Sequence, residues 1–110
     1  MIVVNGTEID ISKNNTFNVP FDVSDWLFKP NDRIVFTVKD LFGNLKVQKE
    51  MTGNNVDTEL NILYVNISAD IMRNLDIGTY LYDLKQYSEG VEITMCMPQK
   101  LKILAVVNDE

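Results

Sequence analysis

The 110-residue chain contains no histidine and a single cysteine, Cys96. Without histidine there is no Ser-His-Asp or Cys-His nucleophile system, and a lone thiol is a poor start for a zinc site. One cysteine also forbids an internal disulfide, as expected for a chain made in a reducing cytoplasm. The five glycines are scattered singly, so no glycine-rich loop is available to cradle a phosphate. No apolar run approaches the ~20 residues that span a bilayer, and no basic segment with an apolar stretch behind it marks a signal peptide. Basic residues are also scarce, 10 against 16 acidic for a net charge of −6, and they form neither a cluster nor a stripe. Nucleic-acid binding draws much of its strength from neutralised phosphates, and an anionic membrane attracts polybasic segments. Neither partner is expected; a protein or a neutral ligand is. The plain reading of the acidity is solubility.

Carboxylates are the remaining candidates for chemistry. Asp22, Asp25 and Asp32 flank one loop and Asp76 lies in another, but the ordered D-x-D-x-D-G spacing of a calcium loop is absent. They read as solvated acids that initiate turns. A glycosidase pair would need a deeper cleft than a small sandwich usually has. The expectation is a non-enzymatic chain with no metal and no cofactor.

What is present is alternation. Phe17, Val19, Phe21 and Val23 recur with a period of two, interrupted by Pro20, which suits an edge strand or a bulge. Ile34, Phe36 and Val38 alternate with Arg33, Thr37 and Lys39. Beyond Gly43-Asn44, the residues Leu45, Val47 and Met51 alternate with Lys46, Gln48 and Glu50. Leu63, Val65 and Ile67 form a further face, and Tyr80, Tyr82 and Leu84 another. Ser88-Glu89-Gly90 reads as a hairpin loop, with Val91, Ile93, Met95 and Met97 as the return strand and Cys96 on its outward side. Pro98 then breaks the ladder, and Leu101 to Val107 form a closing strand. The first eleven residues read as a strand or short hairpin around Asn5-Gly6. Only residues 69–75 suggest helix, and they are too few for more than one turn. Seven to nine short strands at this spacing indicate an all-β sandwich or barrel, as one domain over residues 1–110, and exclude a βαβ fold. The expected core comprises Phe17, Val19, Phe21, Ile34, Phe36, Val38, Val65, Ile67, Tyr80, Tyr82, Leu84, Ile93 and Ile103.

The segment LDIGTYLYDL, residues 75–84, narrows this to an immunoglobulin-like sandwich. In such folds a tyrosine near the start of the sixth strand bonds back to the backbone where the chain crosses between sheets. Here a strand leads into one helical turn, Gly78 permits a sharp bend, and Tyr80 follows two residues later. Tyr80 is therefore the expected tyrosine corner, with Tyr82 packing inward; the alternative makes both plain core aromatics of a strand. The run GTYLYDLKQYSEGVEITMCMPQKLKIL, with NILYVNISADIMRNLDI before it and PNDRIVFTVKD earlier, resembles small immunoglobulin-like modules of tailed phages and prophages. The resemblance covers about 80 residues, from around position 30 to the end. It implies a non-enzymatic part of baseplate, tail or head decoration, made in the bacterial cytoplasm and assembled into the virion. Its implied partners are other virion proteins or further copies of itself.

Trp26-Leu27-Phe28 lies outside the resemblance. Three large apolar residues in a row cannot all face one side of a sheet, so at least one is expected to be exposed or covered by a partner. The segment is either an interface anchor or a plug in one end of the sandwich. Leu101, Ile103, Leu104, Val106 and Val107 put apolar residues on both faces of the closing strand, which is expected to be an open edge. The candidate interface thus comprises Trp26, Leu27, Phe28, Leu104 and Val106. Two other functions fit the sequence: a carbohydrate- or ligand-binding module using Trp26 and Phe28, and an acidic phage protein that inhibits a host factor. The dispersal of the acids along the chain speaks against the second of these.

Overall fold

A computed structural model describes residues 2–5 and 8–105, with side chains from Glu8 onward except Met97. Among these residues the chain forms nine strands and two short helical pieces, in the order β1 (Ile2–Asn5), β2 (Glu8–Ser12), β3 (Phe17–Asp22), β4 (Arg33–Lys39), β5 (Leu45–Thr52), a 3-10 turn (Gly53–Asn55), β6 (Val56–Asp57), β7 (Ile62–Ile67), α1 (Ala69–Met72), β8 (Gly78–Ser88) and β9 (Val91–Leu104). The strands make two sheets. The larger has the order β1-β2-β9-β8-β4-β5 and the smaller β3-β7-β6. Every pairing is antiparallel except that of β2 with β9, which is parallel.

The sheets are held face to face by the alternation read from the sequence. Ile34, Phe36 and Val38 of β4 and Tyr80, Tyr82 and Leu84 of β8 supply one wall of the core; Phe17 and Val19 of β3 and Leu63, Val65 and Ile67 of β7 supply the other. Four rings join the walls. Phe36 lies 5.2 Å from Phe17, 6.0 Å from Phe21 and 5.5 Å from Tyr82, between ring centroids, in the tilted arrangements that ring quadrupoles favour. Ile9 and Ile11 of β2 extend the core toward the parallel seam.

Two expected core residues differ. Phe21 is only partly buried, packed against the core rather than within it. Ile93 is 36% exposed. It sits opposite Gln86 near the end of the β8–β9 hairpin, where its inward neighbour is a polar side chain and not the apolar wall. Nor does Pro98 end a strand. β9 runs unbroken from Val91 to Leu104, and the ladder with β8 absorbs the disruption as two register shifts beside Leu84. Those shifts bring Cys96 opposite the inward-facing Leu84, so the thiol is packed against the core instead of facing outward.

At the crossover, Ser68 caps α1 by accepting from the Ile71 N–H. Gly78 has φ +153°, a backbone that side chains other than glycine adopt poorly. The Tyr80 hydroxyl donates to the Asp76 carbonyl at 2.9 Å. Burial, with the nearby Asp76 charge, raises the Tyr80 pKa and keeps the hydroxyl a donor. Tyr80→Phe keeps the ring and leaves that carbonyl without its donor. It should lower the unfolding free energy by about 1–3 kcal/mol, seen as a lower urea midpoint at unchanged slope. An unchanged midpoint would show the contact to be idle.

Candidate functional site

The strands run lengthwise, so the loops gather at two ends. One end carries residues 23–32, 53–61 and 88–90. The other carries 13–16, the β4–β5 turn at 40–44 and the crossover at 68–77.

The first end holds the Trp26-Leu27-Phe28 segment. Trp26 and Phe28 turn inward and pack against the core, while Leu27 is 94% exposed. The segment therefore closes the end of the sandwich and presents one leucine to solvent. That leucine is not loosely held. Gln86, buried on β8, donates from Nε2 to the Leu27 carbonyl and to Asp32 Oδ2, both at 2.9 Å. Asp32, also buried, accepts from the Lys29 N–H at 2.8 Å, and its carbonyl accepts from the Gly53 N–H at 2.9 Å. Beside Leu27 is a recess of about 430 Å³ lined by residues that include Trp26, Phe28, Pro30, Val56 and Asn61.

The second end carries an equally ordered projection. Asp40 organises the β4–β5 turn: its Oδ1 accepts from the N–H groups of Phe42 and Asn44, and its Oδ2 from Asn44 Nδ2, each at 2.9 Å. Gly43, with φ +89°, supplies the left-handed residue that the turn needs. The result is a rigid tip on which Phe42 is 91% exposed, with exposed Leu41 and Leu45 beside it. No pattern in the sequence distinguished Phe42 from a core aromatic; only the Asp40–Asn44 bracket, which places it mid-turn, could have done so.

The remaining candidates divide. Leu104 is 42% exposed, but its strand is not an open edge. Leu101–Leu104 lies between β2 and β8 and is paired on both sides over Leu101–Ile103. One face of the strand serves the core, where Leu101 and Ile103 are buried, while Leu104 lies on the opposite face. Val106 lies outside the described residues.

A cleft of about 300 Å³ between the sheets is lined by Val19, Phe21, Trp26, Tyr82, Met95 and Cys96 among others. Its lining is mostly apolar, with Asp22 as its one charged residue. Burial pushes the Tyr82 hydroxyl and the Cys96 thiol, which are hydrogen-bonded to each other, up from their ordinary pKa values. The thiol is therefore protonated at neutral pH and a weak nucleophile. Among the described residues, no three Cys, Asp or Glu side chains come together as a metal-holding group, and no helix is long and apolar enough to cross a membrane.

The two loop brackets carry a pH signature. Donation from the Lys29 N–H holds the Asp32 carboxyl below the usual carboxylate range, against the opposing effect of burial. Asn44, by side chain and then backbone, does the same for Asp40. A carboxyl whose pKa is lower when folded stabilises the fold above its unfolded pKa and loses that contribution as pH falls through the folded value. The Asp32→Asn, Asp40→Asn double variant should melt below the parent at pH 7, and the gap should close as the pH drops below the usual carboxylate range. Melting curves with a constant gap at all pH values would show that these carboxylates are not linked to folding.

No family model matches the chain, and no curated protein or solved structure is significantly similar to it.

Proposed function

We propose that the chain is an immunoglobulin-like, non-enzymatic structural module of a tailed-phage or prophage particle, working through protein–protein contacts. The immunoglobulin-like part is supported by the two-sheet division, by the parallel seam between β2 and the last strand, and by the Tyr80 contact just after the crossover. The phage assignment is supported by the resemblance of residues from about 30 to the end. One observation carries the contact function: the most exposed large apolar side chains, Leu27 and Phe42, stand on turns pinned by named hydrogen bonds. An apolar group held rigidly in water costs solvation and does nothing for the core, which is the arrangement expected of an interface anchor.

Ligand binding is less favoured, because Trp26 and Phe28 pack inward and offer no flat aromatic platform. The inhibitor reading gains one observation: acids far apart in sequence fall in loops at one end of the fold, with Asp25, Asp57 and Glu59 next in sequence to residues that line the recess. Mass spectrometry of particles purified from the phage or induced prophage that encodes the chain separates these readings. The module should be present in fixed proportion to other particle proteins. Its absence from intact particles would end the structural reading.

A further inference from the structure

We propose that the free edge of β3 accepts a strand: an extended segment of another protein, apolar at alternate positions and basic on its other face, adds to β3 over the cleft between the sheets. The proposal deepens the protein-contact reading and rests on it. It begins from a mismatch, six strands in one sheet against three in the other. The rings of Phe17 and Phe21 reach Phe36 and Tyr82, so β3 lies over β4 and β8. Beyond its edge, β9 and β2 have no described strand of the smaller sheet above them. At the Phe42 end the crossover lies against the end of β2, where Lys13 Nζ donates to the Arg73 and Leu75 carbonyls. Toward the Leu27 end the same space is the cleft of about 300 Å³, with residues 19–23 along one side and Ile9, Tyr82, Leu84, Met95 and Cys96 along the other. It has the form of a vacant strand position with an apolar floor.

The backbone of β3 dictates what kind of chain fits there. In an antiparallel ladder, alternate residues bond to the neighbour and the rest turn their N–H and C=O outward. The Val23 N–H donates to the Asn61 carbonyl at 2.9 Å, continuing the register that pairs Phe17 with Ile67 and Asp22 with Ile62. The odd-numbered residues of β3 therefore bond to β7, while Asn18, Pro20 and Asp22 face the open edge. Pro20 thus stands where a missing N–H costs the sheet no bond. The edge offers the N–H groups of Asn18 and Asp22 and the carbonyls of all three. Among the described residues, no strand pairs with this side and no turn or loop backbone bond uses these groups. Backbone donors and acceptors beside an apolar floor fit an extended peptide, whose main chain bonds the edge while alternate side chains enter the cleft. Charge sets its other face. Asp22 is the only charged residue of β3 and β7, is exposed, and has no ion-pair partner among the described residues. The β3 strand of a second copy does not suit, because its inward Phe17 and Val19 are already buried in its own core.

The test titrates the full chain with a capped heptapeptide, Thr-Val-Lys-Val-Thr-Val-Lys. Binding is followed by the emission of Trp26, the single tryptophan, which lines the cleft. The peptide should bind with a Kd below about 1 mM and slow amide exchange at Asn18 and Asp22. Two N-methylated versions decide the mode, one methylated at its valines and the other at its threonines and lysines. A strand turns alternate N–H groups to its neighbour, so one version should lose binding and the other keep it. A peptide with glutamate in place of both lysines should bind about 2- to 5-fold more weakly, and Asp22→Lys should reverse that preference. Asn18→Pro removes an edge donor that makes no bond within the sheet, so circular dichroism should be unchanged while affinity falls about 3- to 10-fold. If that variant fails to fold, the methylated peptides and Asp22→Lys still decide. No binding near millimolar, or equal effects of the two methylation patterns, would overturn the proposal. So would protection of Asn18 and Asp22 already present in the free chain, because the chain itself would then fill the position. A chain that takes up the peptide but is absent from particles keeps the strand site and loses the virion reading; a chain found in particles that ignores the peptide does the reverse.

Discussion

Phe36→Ala should lower the unfolding free energy by about 3–5 kcal/mol, the range for removing a fully buried phenylalanine. Phe36 is completely buried and is the ring through which the two sheets meet, touching Phe17 and Phe21 on one side and Tyr82 on the other. Its loss removes apolar burial and opens a cavity that neighbours from two sheets cannot close together. A domain of this size has only about 5–15 kcal/mol in total, so the variant should melt on the order of 15 °C lower. Phe36→Leu, which refills much of the space, should recover a large part of the loss. If alanine costs less than about 1 kcal/mol in urea unfolding, the rings do not form the contact between the sheets.

Gly53→Ala should cost nearly as much for the opposite reason. A Cβ at Gly53 would lie 1.9 Å from the Lys29 carbonyl oxygen and 2.8 Å from its carbon. Both are backbone atoms, so no rotamer change relieves the clash; the 26–32 loop must move. That loop is tied to Gly53 by the bond from its N–H to the Asp32 carbonyl and to β8 through Gln86. The expected loss is about 3 kcal/mol, at the upper end for overpacked sites. It should be accompanied by faster amide exchange at Lys29 and Gly53, the donors in this bracket. Gly43→Ala is a useful contrast, because nothing lies within 4 Å of a Cβ there and the cost is only that of a positive φ. Equal stability of Gly53→Ala and the parent would mean that the loop does not approach this closely.

Phe36 and Gly53 mark the division between what could be read in the sequence and what could not. The inward sets on β3, β4 and β7 follow from alternation alone, because a single parity holds through the core residues of each strand, the one shift on β4 falling after Val38, its last core residue. On β9 the parity rule breaks at the two shifts beside Leu84, and nothing in MCMPQ announces that the strand continues through Pro98. That is why Cys96 came out facing the wrong way. Strand neighbours are likewise a tertiary matter. Leu101 and Ile103 looked like part of an exposed edge because the sequence does not say that β2 returns to cover it. At the candidate surface, alternation dictates that Trp26, Leu27 and Phe28 cannot all point one way, but which of them faces out depends on Gln86, 59 residues away from Leu27. The Phe42 tip was missed because an aromatic beside Gly-Asn reads equally as core or turn.

The parallel seam has a consequence for how the domain comes into being. Ile9 and Ile11 are essentially fully buried, and the strand that covers one flank of them is Leu101–Leu104, almost the whole length of the chain away. During synthesis, β2 leaves the ribosome long before its partner exists. Among the described strands, β1 alone pairs with it in the interval, and two strands alone are marginal in water. Closing a loop that spans nearly the entire sequence is a slow step. The nascent chain must therefore hold two isoleucines in waiting until translation has passed residue 104, the period in which an uncovered apolar strand is most exposed to misassembly or to a chaperone's grip.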